Sequence, residues 1–288
     1  MKCALLLTGL FLAACSNPTP SENTETVQEH TKIAKIKLYA LECGYVNMLD
    51  LGLFASNGAF DGRTNNAISS CYLIRHPNGD LLWDTGLPDA LHAAKDGITN
   101  GPFHLSVPNT LSGQLESLGV SAQDIEYLSL SHTHFDHAGN AGQYAASTFI
   151  VHESELAHMF RDEARADAQQ FPAYSALEKS EKITFTDNHD VFGDGTVEIL
   201  SMPGHTPGHT VLKLELANAG TILLTGDLYH LYESRTLRTV PVFNTDEPET
   251  LRSMDAFEAL AKETNARVII QHSVKDFEAL PKAPRYLD

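Results

Sequence analysis

The segment Ser131-His132-Thr133-His134-Phe135-Asp136-His137 places four metal-competent side chains within six positions. Further along stand His205 in Pro203-Gly204-His205-Thr206-Pro207-Gly208-His209, Asp227 after Thr225-Gly226, and His272. Imidazole with carboxylate, and no thiolate among them, suits borderline ions such as zinc. Seven donors exceed what one tetrahedral ion takes and imply two divalent cations, with positions left for water. Two such ions lower the pKa of a shared water, so that hydroxide is available near neutral pH, and polarise a carbonyl. No Gly-x-Ser-x-Gly nucleophile segment is present. The chemistry indicated is metal-assisted hydrolysis.

Such donors must be held at the ends of rigid elements. Ile125 to Leu130 is an apolar run that leads directly into the first histidine cluster. Val197 to Leu200, Ile222 to Leu224 and Val268 to Ile270 likewise precede His205, Asp227 and His272. Each donor group therefore lies just past the C-terminal end of a predicted strand. Further strands are expected at 33–41, 71–75, 81–84, 148–151 and 210–216, with Asn78-Gly79 turning a hairpin. A helix is expected from Glu153 to about Ala168. A second is expected from Pro248 to about Thr264, with Leu251, Met254, Phe257, Leu260 and Ala261 as its core stripe. Mixed strands in both halves, with helices among them, predict an α+β fold of two packed sheets covered by helices: a four-layer αββα sandwich.

Hydrophobic residues form 42% of the 288 residues and charged residues 20%, which excludes wholesale disorder. The formal net charge of -17 makes nucleic acid an unfavourable partner. Residues 1–14 read as an export signal: Lys2, a short apolar core and small residues at its end. Residues 15–32 are rich in Asn, Pro, Thr, Ser and Glu and read as a tether. The folded domain is expected over 33–288. Cys43 and Cys71 remain in an oxidising compartment but sit in apolar contexts, so two buried free thiols are expected rather than a disulfide. Of the fourteen histidines, His209 reads as a brace for the His205 loop, and His30, His76, His92, His104, His152, His158 and His189 as surface or core residues.

Leu12-Ala13-Ala14-Cys15 resembles the lipobox of bacterial lipoproteins. That resemblance implies a lipid anchor on Cys15 and, with Ser16 next, an outer-membrane location facing the periplasm. The His-x-His-x-Asp-His cluster, followed by His, Asp and His, resembles the metallo-β-lactamase superfamily. Carried over, His132, His134 and His205 would hold one zinc ion, and Asp136, His137 and His272 a second. Asp227 would bridge the two. A bridging carboxylate separates the chain from true β-lactamases.

Within the superfamily the chain looks like the N-acyl homoserine lactonases, the quorum-quenching branch. The shared phrases are Cys71-Tyr72-Leu73-Ile74, Trp83-Asp84-Thr85-Gly86-Leu87-Pro88, His132 to Gly139 and Pro203 to His209. Met48-Leu49-Asp50 fits the same branch; beyond it, Leu51, Leu53, Phe54 and Phe60 are either an acyl-chain wall or core packing. The resemblance implies a lactone or ester substrate, with Asp136 and Asp227 in the catalytic centre. Lactonases of this type often place a tyrosine three residues after the bridging Asp, where this chain has His230. Either His230 or the neighbouring Tyr229 would then meet the substrate carbonyl.

Two other readings stand beside the lactonase. A glyoxalase-like thioester hydrolase or broad esterase of the same fold would draw on Lys275, Lys282 and Arg285. A non-catalytic zinc-binding lipoprotein would keep its site closed. The sequence does not fix the oligomeric state, and a homodimer is one option.

Overall fold

A computed structural model of the chain describes residues 35–288. The expected signal at 1–14, the lipid-bearing Cys15 and the tether at 15–32 lie outside the described residues. The alternating apolar segments form strands β1 (Lys37–Met48), β2 (Ile68–His76), β3 (Gly79–Trp83), β4 (Ile98–Asn100) and β5 (Phe103–Ser106). Strands β6 (Tyr127–Ser129), β7 (Thr148–His152) and β8 (Lys182–Phe185) complete an eight-stranded sheet in the order β4-β5-β1-β2-β3-β6-β7-β8. Strands β9 (Asn188–Asp190), β10 (Val197–Ser201), β11 (Thr210–Leu216), β12 (Gly220–Leu224) and β13 (Arg267–Ile269) make a second sheet in the order β13-β12-β11-β10-β9.

The facing sides of the two sheets share one core. Leu38, Tyr72, Ile74, Trp83 and Ile150 from the first sheet pack with Ile199, Leu212, Leu214, Ile222, Leu224 and Ile269 from the second. The outer face of the first sheet buries Leu73, Leu82, Phe149 and Val151 beneath helices α1 (Leu111–Ser117), α2 (Glu153–Met159) and α4 (Phe171–Tyr174); the short α3 (Asp162–Ala166) lies between the last two in sequence. After α5 (Tyr232–Leu237), the long helix α6 (Glu247–Glu263) covers the second sheet. Its Met254, Phe257 and Ala261 pack on Leu200, Val211 and Leu223. The last helix, α7 (Val274–Glu278), follows β13. The four αββα layers are as expected, because each sheet has two apolar faces and each needs a cover.

Three local expectations are corrected. His76 pairs with Gly79, so Pro77 and Asn78 form the turn, one residue earlier than Asn-Gly would place it. The helix expected over 153–168 ends at Met159; Phe160 turns inward against Phe171 and Tyr174, and Arg161 is extended before α3 begins. Cys43 and Cys71 are joined by a disulfide, with Cα atoms 5.8 Å apart. Strands β1 and β2 pair antiparallel with Leu41 opposite Cys71, and a register shift between Glu42 and Tyr45 accompanies Cys43. Burial was read correctly, but the pairing that brings the two thiols together is a property of register. Among the described residues, no helix is long and apolar enough to cross a membrane.

Strand direction decides where the site forms. β3, β6 and β7 run parallel, so their C-terminal ends share one edge of the first sheet. β10 and β12 are both antiparallel to β11, and β13 is parallel to β12, so these three also end together. The loops that leave those ends carry all seven predicted donors.

Candidate metal centre

His132, His134, Asp136 and His137 leave the end of β6 on a loop, while His205, Asp227 and His272 follow β10, β12 and β13. The two sets come from different sheets and converge. His132 Nε2 lies 2.9 Å from His134 Nδ1, which lies 3.0 Å from His205 Nε2. His137 Nε2 lies 3.3 Å from His272 Nε2, with Asp136 Oδ2 3.6 Å from the latter. Asp227 stands between these clusters. Its Oδ2 is 3.5 and 3.4 Å from His132 and His205, and its Oδ1 is 3.1 and 2.9 Å from His137 and His272. One carboxylate thus presents an oxygen to each half.

The far ring nitrogens explain why lone pairs point inward. His272 Nδ1 donates to the Ile68 carbonyl at 2.8 Å, and His137 Nδ1 donates to Asp84 Oδ2 at 2.9 Å. His205 Nδ1 faces Asn244 Oδ1 at 3.3 Å. An acceptor on the far side fixes the proton there and leaves Nε2 free as a ligand. Asp227 Oδ1, although close to two imidazoles, has no hydrogen-bond partner. Convergent lone pairs around a buried, unpartnered carboxylate oxygen repel one another unless a cation lies among them. The donor set therefore fits a pair of divalent ions.

Electrostatics agree. Burial, reinforced by neighbouring imidazoles, pushes His132 and His134 well below the usual histidine range, so both offer neutral rings. At His137 burial is the largest influence and lowers the value, yet Asp227, Asp84 and Asp136 together outweigh it and raise it well above the ordinary range. Three buried carboxylates call for positive charge at this point, which a bound cation would supply in place of a proton.

Asp227 itself is placed by a tight turn. Gly226 has φ +49°, and a Cβ there would come 2.7 Å from His209 Nε2. His209 donates from Nδ1 to the Met202 carbonyl at 3.0 Å and accepts the Asp227 N–H at Nε2, 2.9 Å away. It is the brace expected of it and not a ligand. Burial, with His205 nearby, brings it down to about 3.

A profile of the metallo-beta-lactamase superfamily matches residues 65–272, a span that holds every one of these donors. The chain belongs to that superfamily. It is similar to the N-acyl homoserine lactonase AttM of Azorhizobium caulinodans, 28% identical over 88% of this chain and 99% of the relative. It is also similar to the N-acyl homoserine lactonase AiiA of Bacillus thuringiensis subsp. kurstaki, 27% identical over 87% of this chain and 98% of that one. Among solved structures it resembles an N-acyl homoserine lactone hydrolase holding N-hexanoyl-L-homoserine at its catalytic metal centre, with TM-score 0.73 and 26% identity over 88% of this chain and 99% of that one. Fold and donor set together are those of a metal-dependent hydrolase of the superfamily.

The superfamily site opens into a chamber lined by Val46, Met48, Phe54, Phe103, Phe135, His230 and Phe243 beside Asp136, Asp227 and His272. His230 lies in this wall, with Nε2 3.1 Å from Asp227 Oδ2 and its ring against Phe54. Tyr229 does not reach it. That side chain is buried against Phe257 with its hydroxyl on Glu258 at 2.9 Å, which removes it from the substrate-contacting candidates. The neighbours in sequence point to opposite sides of an extended backbone. Of the apolar segment after Met48, Phe54 faces the chamber, whereas Leu51 and Phe60 are core beneath it.

Sequence reasoning missed Asp84, Gln271, Ser69, Glu155 and Asn244. Asp84 accepts from Ser131 N at 2.7 Å, Ser131 Oγ at 2.8 Å, His137 and Gln271 Nε2. Ser69 Oγ donates to the Asp136 carbonyl. The Trp83-Asp84-Thr85-Gly86 phrase flagged the first of these without giving it a partner.

Proposed function

We propose that this hydrolase opens the ring of N-acyl homoserine lactones or related lactones with two zinc ions at the site. The reading rests chiefly on Asp227, whose two oxygens face the two donor clusters. Bound there, the pair of cations would supply hydroxide at neutral pH and polarise the ester carbonyl. His132, His134 and His205 would hold one ion and Asp136, His137 and His272 the other, with Asp227 between them. The chain's own polar contribution to the substrate is His230. Burial holds that imidazole below the usual range despite Asp227, and its ring stands in the chamber wall, where it could meet the lactone carbonyl.

Two observations support an acylated substrate. The chamber beside the donors holds only ≈ 40 Å³. Across Phe103 and Phe135, which are shared by both spaces, an apolar groove of ≈ 410 Å³ continues along Leu87, Leu91, Ile98 and Leu105. A small polar ring at the ions and a flexible tail in the groove match that division. Of the cations that a thioester reading would draw on, two are engaged elsewhere. Lys282 Nζ is taken up by the carbonyls of Phe277 and Leu280, and Lys275 lies over the Tyr232 ring.

The deciding experiment is proton release from acyl homoserine lactones, S-lactoylglutathione and a nitrophenyl ester, before and after chelation and zinc restoration. Lactone opening that vanishes with the metal and returns with zinc is expected. Ester turnover with no lactone preference would replace this reading. Attachment through Cys15 at the outer membrane belongs to the same proposal, and labelled palmitate should be incorporated by the wild type and not by Cys15→Ser.

A further inference from the structure

Glu155 is 1% exposed and takes no part in the chemistry described above. It sits in the first turn of α2, behind the metal centre. Its Oε1 accepts the Thr133 N–H at 2.8 Å, between the ligands His132 and His134. Its Oε2 accepts the Thr206 hydroxyl at 2.7 Å and the Gly208 N–H at 3.1 Å, on the loop that carries His205 and His209. These two loops leave different sheets, and one carboxylate spans them. The contact is close as well as polar: a Cβ on Gly208 would come 2.2 Å from the Glu155 backbone nitrogen.

We propose that Glu155 is a positioning residue for the first cation, setting the separation between the His132–His134 loop and the His205 loop. A carboxylate is suited to this because it is acceptor-only, and all three of its partners are donors. Hydrogen bonds to an ionised acceptor are short and strong, so the loop spacing is held stiffly. Glutamine keeps the shape but turns an NH₂ group toward one of those donors. The effect should fall chiefly on the first half of the centre, since the hydrogen bonds of Glu155 meet Thr133, Thr206 and Gly208, beside His132, His134 and His205.

The inference rests on the two-metal reading and is independent of the lactone, so its test uses metal binding alone. Metal-free wild type, Glu155→Gln, Glu155→Ala and Gly208→Ala would be titrated with Zn²⁺ against a chromophoric chelator, and with Co²⁺ followed by its visible absorption. In Glu155→Gln the first-site affinity should fall about tenfold, the low end of what losing a ligand's direct partner costs. The second ion should bind as in wild type. Gly208→Ala, which forces α2 off the loop, should reproduce the first-site loss. Should Glu155→Ala fail to fold, the glutamine variant decides. Wild-type affinity at both sites in Glu155→Gln, or an equal loss at both, would overturn the assignment.

Discussion

The two halves of the metal centre are held by different means. Around Asp136, His137 and His272, the support touches ligands directly: Asp84 fixes the His137 ring, the Ile68 carbonyl fixes His272, and Ser69 holds the Asp136 backbone. Around His132, His134 and His205, Ser131 Oγ and Asn244 Oδ1 meet two of the rings at 3.1 and 3.3 Å, and the tie between the loops is Glu155, which touches no ligand and acts on the backbone between them. The first arrangement sets tautomer and ring angle; the second adds a clamp on the distance between two loops.

Replacing the residue common to both halves should have the largest consequence. Asp227→Ala is expected to lower kcat/KM on a lactone by about three orders of magnitude or more, beyond the loss of one transition-state donor. The protein should keep its far-UV circular dichroism. Retained activity would mean that the halves do not work as a pair. Asp84→Asn weakens the acceptor of the His137 ring and should weaken one ion about 10- to 100-fold, read as a stoichiometry near one after mild chelation. If that variant and Glu155→Gln released the same ion, the contrast between the halves would be lost.

A smaller effect is expected from the disulfide between β1 and β2. Cys43 and Cys71 are 28 residues apart in sequence, and loss of their link should cost about 3 kcal/mol of stability. Thermal unfolding with and without reductant measures it, and an unchanged Tm would show that strand pairing alone holds β1 to β2. The smallest change should follow Tyr229→Phe. One hydrogen bond to Glu258 is lost, worth about 1 kcal/mol, with kcat/KM unaltered. His230→Phe in parallel should lower kcat/KM about tenfold or more with both ions retained.

The seven donors were legible in the sequence because their types are restrictive and each follows an apolar strand. The supports were less so. Glu155 stands among acids at the start of a helix, where a carboxylate ordinarily faces solvent and the helix dipole; only the approach of the Gly208 loop turns it into a buried acceptor. Asp84 lay inside a noticed phrase, but its link to His137 crosses from one strand end to the next. Cys43 and Cys71 were rightly read as buried, and their union depended on the β1–β2 register. The four layers followed from apolar patterning, whereas the break at Phe160 came from packing against Phe171 and Tyr174, which propensity does not encode.

The ions would bolt one sheet to the other, since the first sheet contributes His132 to His137 and the second contributes His205, Asp227 and His272. Metal supply would then set mechanical integrity as well as turnover: a ligand present at a thousand times its dissociation constant adds about 4 kcal/mol to the folded state. A cell short of the metal would hold a looser sandwich, more open to proteases along the seam where the loops meet.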